Sequence, residues 1–152
     1  MNRLTYRDAT PEDLGFIVRL IVDDSVVATD DRPDEPQHPR YLAAFEAIAA
    51  DPNQRLIIAE LDGQPVGTQQ LTFIPGIARF GERRCLIEAV HIAPEHRNRG
   101  FGGEMINWAI AEARANDCGL VQLTSNKQRL DAHRFYERLG FKKSHEGFKL
   151  AL

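Results

Sequence analysis

The stretch of this chain with the most chemistry in it is Val90-His91-Ile92-Ala93-Pro94-Glu95-His96-Arg97-Asn98-Arg99-Gly100-Phe101-Gly102-Gly103-Glu104-Met105. An apolar, strand-like run passes into a basic, glycine-rich turn that opens an amphipathic, helix-like pattern. This order suits an anionic diphosphate, which needs free backbone N–H groups at a helix N-terminus, a favourable dipole, and glycines that let the backbone approach closely. The basic run His96-Arg97-Asn98-Arg99 is too short for a nucleic-acid stripe but can hold a small anion.

Spacing separates three phosphate motifs. A dinucleotide fingerprint calls for Gly or Ala three residues after Gly102, where Met105 stands, and an acid at the end of the next strand, where Leu123 and Thr124 stand. A P-loop ends in Gly-Lys-Ser/Thr, a triplet the chain lacks. What is left is Arg97-x-x-Gly100-x-Gly102 after a strand that ends in Pro, which resembles the signature of the GCN5-related N-acetyltransferases (GNAT). A downstream segment, Arg134-Phe135-Tyr136-Glu137-Arg138-Leu139-Gly140-Phe141, is similar to the family's other common segment and comes in the family's order.

The resemblance implies acetyl-CoA as cosubstrate. Backbone groups of Asn98, Gly100, Gly102 and Gly103 would hold its pyrophosphate, with Arg97 and Arg99 as the loop's own cations. Val90 and Ile92 would pair with pantetheine as a pseudo-strand, and the Val90 N–H would meet the acyl carbonyl as an oxyanion donor. Many relatives carry Asn seven residues before the Tyr. Here that position is Arg129 and the nearest Asn is Asn126, which puts that pantetheine contact in doubt and leaves Lys127 or Arg129 to meet the CoA phosphates.

Acyl transfer from a thioester to an amine needs a neutral amine, a stabilised oxyanion and a proton for the departing thiolate. The resemblance makes Tyr136 the general acid; the competing reading puts it on the apolar face of Ala132, Phe135 and Leu139. Glu88 is the candidate base. Regular alternation puts it on one face with Leu86, Val90 and Ile92, an apolar setting that should raise its pKa. The alternative is a salt-bridged structural carboxylate, and a bulge in the strand would change the facing. Simple alternation sends His91 to the opposite face, and a structural or solvent role is favoured for it and for His133, although imidazole suits base work at neutral pH.

These residues need elements to position them. Thr10-Pro11-Glu12-Asp13 reads as a helix start followed by Leu14, Ile17, Val18 and Ile21 at helical spacing, with a strand before it around Leu4 to Asp8. Residues Asp23 to Pro39, with six acids and three prolines, are loop chemistry, either a solvated connection or a rim for a cationic substrate. A helix over Tyr41 to Ala50 follows. Arg55 to Leu61, the turn Asp62-Gly63, Val66 to Ile74 and Cys85 to Ile92 form an antiparallel meander. After the glycine loop, Ile106, Ala109, Ile110 and Ala113 mark a helix, Leu120 to Thr124 a strand, and Ala132 to Leu139 a helix closed by Gly140 in the left-handed position. Phe148 to Leu152 reads as a last strand. The order predicts an α/β fold with a mixed, mostly antiparallel central sheet flanked by helices and one parallel crossover after the third run of the meander.

At 152 residues, with 43% hydrophobic and 27% charged residues, the chain has the size and composition of one globular domain spanning 1–152. No apolar run approaches the roughly 20 residues that span a bilayer, and the N-terminus has no leader-like apolar stretch, so a soluble cytoplasmic protein is expected with no membrane partner. A net charge of -3 gives no global attraction for nucleic acid. Cys85 and Cys118 lack metal spacing and read as reduced packing residues, so neither a metal nor an acyl-enzyme is expected. Direct transfer to a primary amine of a small cationic molecule is the leading reading. A protein or peptide amine, or an acyl-CoA sensor without turnover, are the alternatives. Family members often dimerise through their C-terminal strands, so the resemblance also implies a candidate homodimer.

Overall fold

The computed structural model describes residues 3–152. The chain divides into two compact units, Met1–Gln122 and Leu123–Leu152. The first carries most of the regular structure: β1 (Thr5–Asp8), a 3-10 turn at Pro11–Asp13, α1 (Leu14–Asp23), α2 (Pro39–Ala50), β2 (Gln54–Leu61), β3 (Gln64–Ile74), a single turn α3 (Ala78–Gly81), β4 (Arg83–Ile92), a second 3-10 turn at Pro94–His96, α4 (Phe101–Ala115) and β5 (Cys118–Leu123). The strands form one sheet in the order β1-β2-β3-β4-β5. The pairs β1–β2, β2–β3 and β3–β4 are antiparallel. β5 joins after the α4 crossover, which makes the sheet mixed, as expected from the sequence.

Local chemistry explains the joints. Asp62 and Gly63 both take positive φ (51° and 77°), the two-residue turn whose twist matches a hairpin, and Leu61 pairs directly with Gln64. At the entry to α1, Asp13 accepts the Thr10 N–H at 2.7 Å and receives a two-pronged Arg7 guanidinium at 2.7 and 2.9 Å. Arg7 Nε also meets Glu60 at 2.7 Å, so β1, β2 and the start of α1 share one charge cluster. α1 buries Leu14, Ile17, Val18 and Leu20; Leu20 joins the expected stripe and Ile21 is only half-buried.

The core lies between the sheet and its helices. Ile57, Ile58, Leu71, Phe73 and Ile87 from the strands, with Met105 and Ile106 from α4, are essentially fully buried. α4 crosses very close to β3: a Cβ at Gly67 would stand 2.9 Å from Met105 Sδ and 2.9 Å from the His91 carbonyl oxygen, so a side chain there would force the helix off the sheet.

In the second unit, α5 (Leu130–Arg138) is the regular element. It begins earlier than expected, after the turn at Asn126, and ends with Gly140 at φ 97°. The expected strand at Phe148–Leu152 does not form. Phe148, Leu150 and Leu152 are 92%, 86% and 118% exposed, and within this unit no strand lies beside them. Alternating apolar residues describe a strand's faces, but a strand persists only where its backbone finds a ladder.

Candidate active site

The site is organised by an irregularity in β4. Its register against β3 runs Thr72↔Leu86 and Gln70↔Glu88, then jumps to Thr68↔His91 and Gly67↔Ile92. Ala89 and Val90 therefore stand opposite Gln69 alone, and Ala89 takes φ 50°. This is a β-bulge, which inserts one extra residue and reverses the facing beyond it. The expectation that Glu88 shares a face with Leu86, Val90 and Ile92 is corrected. Leu86, Glu88 and His91 lie on one face with Thr72, Gln70 and Thr68, while Val90 and Ile92 pack on the other face against the cluster of Leu4, Ala59, Val66, Phe101 and Met105. His91 is accordingly on the same face as Glu88, not opposite it. Glu88 is exposed, so the apolar enclosure expected around it is absent.

Behind the bulge sits Gln69, fully buried, whose Nε2 donates to the Met105 carbonyl at 3.1 Å and whose Oε1 has no hydrogen-bond partner among the described residues. It ties the bulged region to α4. The bulge takes Ala89 and Val90 out of the regular β3 ladder.

Past β4, the Ala93 N–H donates to the Val66 carbonyl at 2.9 Å, and the chain turns through Pro94–His96. Asn98 (φ 59°) and Gly100 (φ 83°) are both left-handed, and Gly100 is the N-cap of α4 with no side-chain cap. A helix's first N–H groups have no partners within the helix, so the first turn of α4, with Gly102 and Gly103, offers donors to an anion. A Cβ at Gly103 would meet nothing within 4 Å, so the approach is open. These features fit the pyrophosphate of acetyl-CoA.

The side chains around this loop divide the labour. Arg97 turns away from the helix end: its Nε donates to the Ile92 carbonyl at 3.1 Å, and its Nη2 lies 3.9 Å from Asp24. Arg99 Nη1 is 3.1 Å from His96 Nδ1, and its guanidinium lies 5.0 Å over the Phe101 ring. Arg3, which sequence reading passed over, also lies over the Phe101 ring at 4.4 Å, hydrogen-bonds the Arg99 carbonyl and pairs with Glu104 at 3.0 Å. Partial burial pushes the Glu104 carboxyl up, but hydrogen bonds from the Arg3 and Leu4 N–H groups and the Arg3 guanidinium outweigh this and hold it below the usual range. The one acid in the first turn of α4 is thus already matched by a cation.

A second pair missed from sequence is His91 with Asp24. His91 Nδ1 is 2.8 Å from Asp24 Oδ2, with both side chains largely buried. Asp24 caps the C-terminus of α1. The acidic connection after it is partly internally matched: Asp31 takes the Tyr41 hydroxyl at 3.0 Å, and Glu35 lies 3.6 Å from Arg32.

In the second unit, Asn126 organises the start of α5. Its side chain accepts the Gln128 N–H at 2.9 Å, and its carbonyl meets the Arg129 N–H at 3.0 Å and His133 Nε2 at 2.8 Å. Arg129 is the N-cap, and Lys127 lies 4.0 Å from Glu146. The end of α5 closes with Phe141 N–H donating to the Tyr136 carbonyl at 3.1 Å and Gly140 N–H to the Glu137 carbonyl at 3.0 Å, the Schellman pattern that the glycine permits. The Tyr136 ring is held edge-on between Phe135 (5.1 Å) and Phe141 (5.9 Å) and is half-buried.

Comparison with known proteins agrees with this geometry. The family model described as "Acetyltransferase (GNAT) family" matches residues 16–141. An aminoalkylphosphonate N-acetyltransferase of Salmonella typhimurium is 32% identical over 149 residues, covering 96% of this chain and 90% of that one. Among solved structures, a Bacillus halodurans C-125 protein described as a transcriptional regulator is 41% identical, with a TM-score of 0.92 over 98% of this chain and 99% of that one. A Clostridium acetobutylicum protein, described as a predicted acetyltransferase and solved with acetyl-CoA, shares the fold at 22% identity, with a TM-score of 0.70 over 97% of this chain and 96% of that one. A bulged strand leading through left-handed Asn98 and Gly100 into an uncapped helix, with a family match over most of the chain, establishes that this protein belongs to the GNAT acetyltransferase family and is an acetyl-CoA-dependent acyltransferase.

Proposed function

We propose that this chain, acting as a single cytoplasmic GNAT domain, moves an acetyl group from acetyl-CoA directly to the primary amine of a small molecule. The observation that carries this is the phosphate loop, where left-handed Asn98 and Gly100 deliver an uncapped helix N-terminus directly after a bulged strand. The amine nitrogen attacks the thioester carbonyl, the C–N bond forms as the C–S bond breaks, and the Val90 N–H meets the developing oxyanion. Glu88, exposed on the bulged strand, meets the amine directly or through water, and Tyr136 supplies the proton for the departing thiolate. Direct transfer is supported by the cysteines. Cys85 is buried, and burial raises both thiols above the ordinary range, the opposite of an activated nucleophile.

Two acceptor classes have support. Asp30, Asp31, Asp34 and Glu35 in the connection after α1 favour a cationic amine. The relative named for aminoalkylphosphonates favours a small amine that carries its own anion. The description of the Bacillus halodurans relative as a transcriptional regulator gives the sensor reading its footing. One assay separates them: acetyl-CoA-dependent thiol release over polyamines, aminoglycosides, aminoalkylphosphonates, amino acids and short peptides. Release above hydrolysis with polyamines or aminoglycosides supports the cationic class, and with aminoalkylphosphonates the anionic one. Acetyl-CoA binding without release by any amine contradicts the enzyme reading and favours the sensor.

A further inference from the structure

The bulge at Ala89 brings His91 onto the Glu88 face, and the end of α1 supplies it with a partner. His91 Nδ1 lies 2.8 Å from Asp24 Oδ2, and the two side chains are 13% and 19% exposed. A carboxylate oxygen at that distance keeps the ring proton on Nδ1. This fixes both tautomer and ring plane and leaves Nε2, with its lone pair, for a substrate or water. Asp24 is itself set in place: it closes α1, which packs on β4, and Arg97 Nη2 stands 3.9 Å from its second oxygen while Arg97 Nε holds the Ile92 carbonyl. Among the described residues, the charged groups on this face of β4 are Arg84 and Glu88, while Asp24 meets the ring and Arg97 stands beside Asp24.

We propose that His91 Nε2 is the proton acceptor for the amine, with Asp24 as its positioning residue and Glu88 left to bind the ammonium before transfer. This rests on the acetyl-transfer reading above. The ammonium held at Glu88 first releases one proton to solvent, giving the neutral amine. As the C–N bond forms and the C–S bond breaks, that amine gives its second proton to His91 Nε2 and the thiolate takes one from Tyr136. The proton on His91 then returns to the Tyr136 phenolate through solvent, so one proton is released per turnover. Carboxylate, imidazole and reacting nitrogen then form a line in which the base is oriented by a third group, with the bulge carrying the imidazole and the end of α1 the carboxylate.

The experiment measures kcat/KM with the best amine of the panel, together with acetyl-CoA affinity by titration, for wild type, His91→Ala, His91→Gln and Asp24→Asn. His91→Gln can keep a donor to Asp24 but has no basic nitrogen. Both His91 variants are expected to lose roughly 100- to 1,000-fold in kcat/KM, while acetyl-CoA affinity stays within about twofold. Added imidazole should restore His91→Ala in a concentration-dependent way. Asp24→Asn is expected to lose about tenfold and to add nothing in the double variant with His91→Ala, because residues acting as a unit are non-additive. If His91→Gln stays within threefold of wild type, or if imidazole restores nothing, the assignment to His91 is overturned while acetyl transfer stands. If wild type binds acetyl-CoA but none of the amines in the panel releases CoA above hydrolysis, the acetyl-transfer reading falls and takes this assignment with it.

Discussion

Glu88 and His91 sit on one face of the fourth strand, three residues apart, because Ala89 between them adopts φ 50° and inserts a bulge opposite Gln69. Under regular alternation, residues three positions apart point to opposite faces, which would have separated the carboxylate from the imidazole. The shared face is therefore a property of one backbone conformation.

That conformation can be tested at Ala89 itself. An L-residue in the left-handed region costs about 1–2 kcal/mol, and glycine does not incur this cost, so Ala89→Gly should raise Tm or leave it unchanged with activity retained. Ala89→Val adds a β-branch where φ is positive, and should lower Tm and cut kcat/KM more than acetyl-CoA affinity, since Glu88 and His91 both shift. Thermal melts beside steady-state kinetics check both variants.

The phosphate loop makes a different demand. Gly100 caps α4 at φ 83°, and an added Cβ would stand 3.4 Å from Arg3 Nη2. Gly100→Ala should cost about 1 kcal/mol of stability and weaken acetyl-CoA about tenfold, with kcat at saturating acetyl-CoA changed much less. Isothermal titration with acetyl-CoA and with desulfo-CoA separates the binding loss from any loss of chemistry.

Much of this was legible in the sequence, for physical reasons. The Asp62-Gly63 hairpin, the Gly100 turn and the Gly140 helix end are set by local backbone sterics, which residue type reports directly. The reversal beyond Ala89 was not legible, because alanine carries no signal for positive φ and the bulge is fixed by how β4 registers against β3. The Asp24–His91 contact joins residues 67 apart in sequence and depends on where α1 ends over the sheet. The last apolar segment, Phe148 to Leu152, has a strand's side-chain pattern, but whether it pairs is decided by partners that the pattern does not name.

Acid stability follows from Asp13 and Glu104. Burial raises both carboxyls, while hydrogen bonds from Arg7 and Thr10 to Asp13, and from Arg3 and Leu4 to Glu104, lower them further, so both end below the usual carboxylate range when folded. A depressed folded pKa gives stability that is fully present above the unfolded value, about 4 for these groups, and that is lost as pH falls through the folded value. Tm should be flat above about pH 5 and fall below about pH 4, and Asp13→Asn should lower Tm at neutral pH while flattening the acid-side fall. Calorimetry across that range reads the sign.

Thiol reactivity is the fourth test. Burial, with the neighbouring Cys118, pushes the Cys85 thiol up to about 12, and Cys118 is also raised, by burial first. In native protein an aromatic disulfide reagent should label Cys118 slowly and Cys85 more slowly still, with both reacting at once after unfolding. Fast labelling of Cys85 in the native state would contradict its burial.

The most direct test of acetyl transfer to an amine is product stoichiometry: mass spectrometry of the acceptor alongside free CoA in one reaction. One acetylated amine for each CoA released, absent without enzyme and strongly reduced in Tyr136→Phe, is the predicted result. CoA released with no acetylated amine, or acetyl found on the protein in its place, would contradict it.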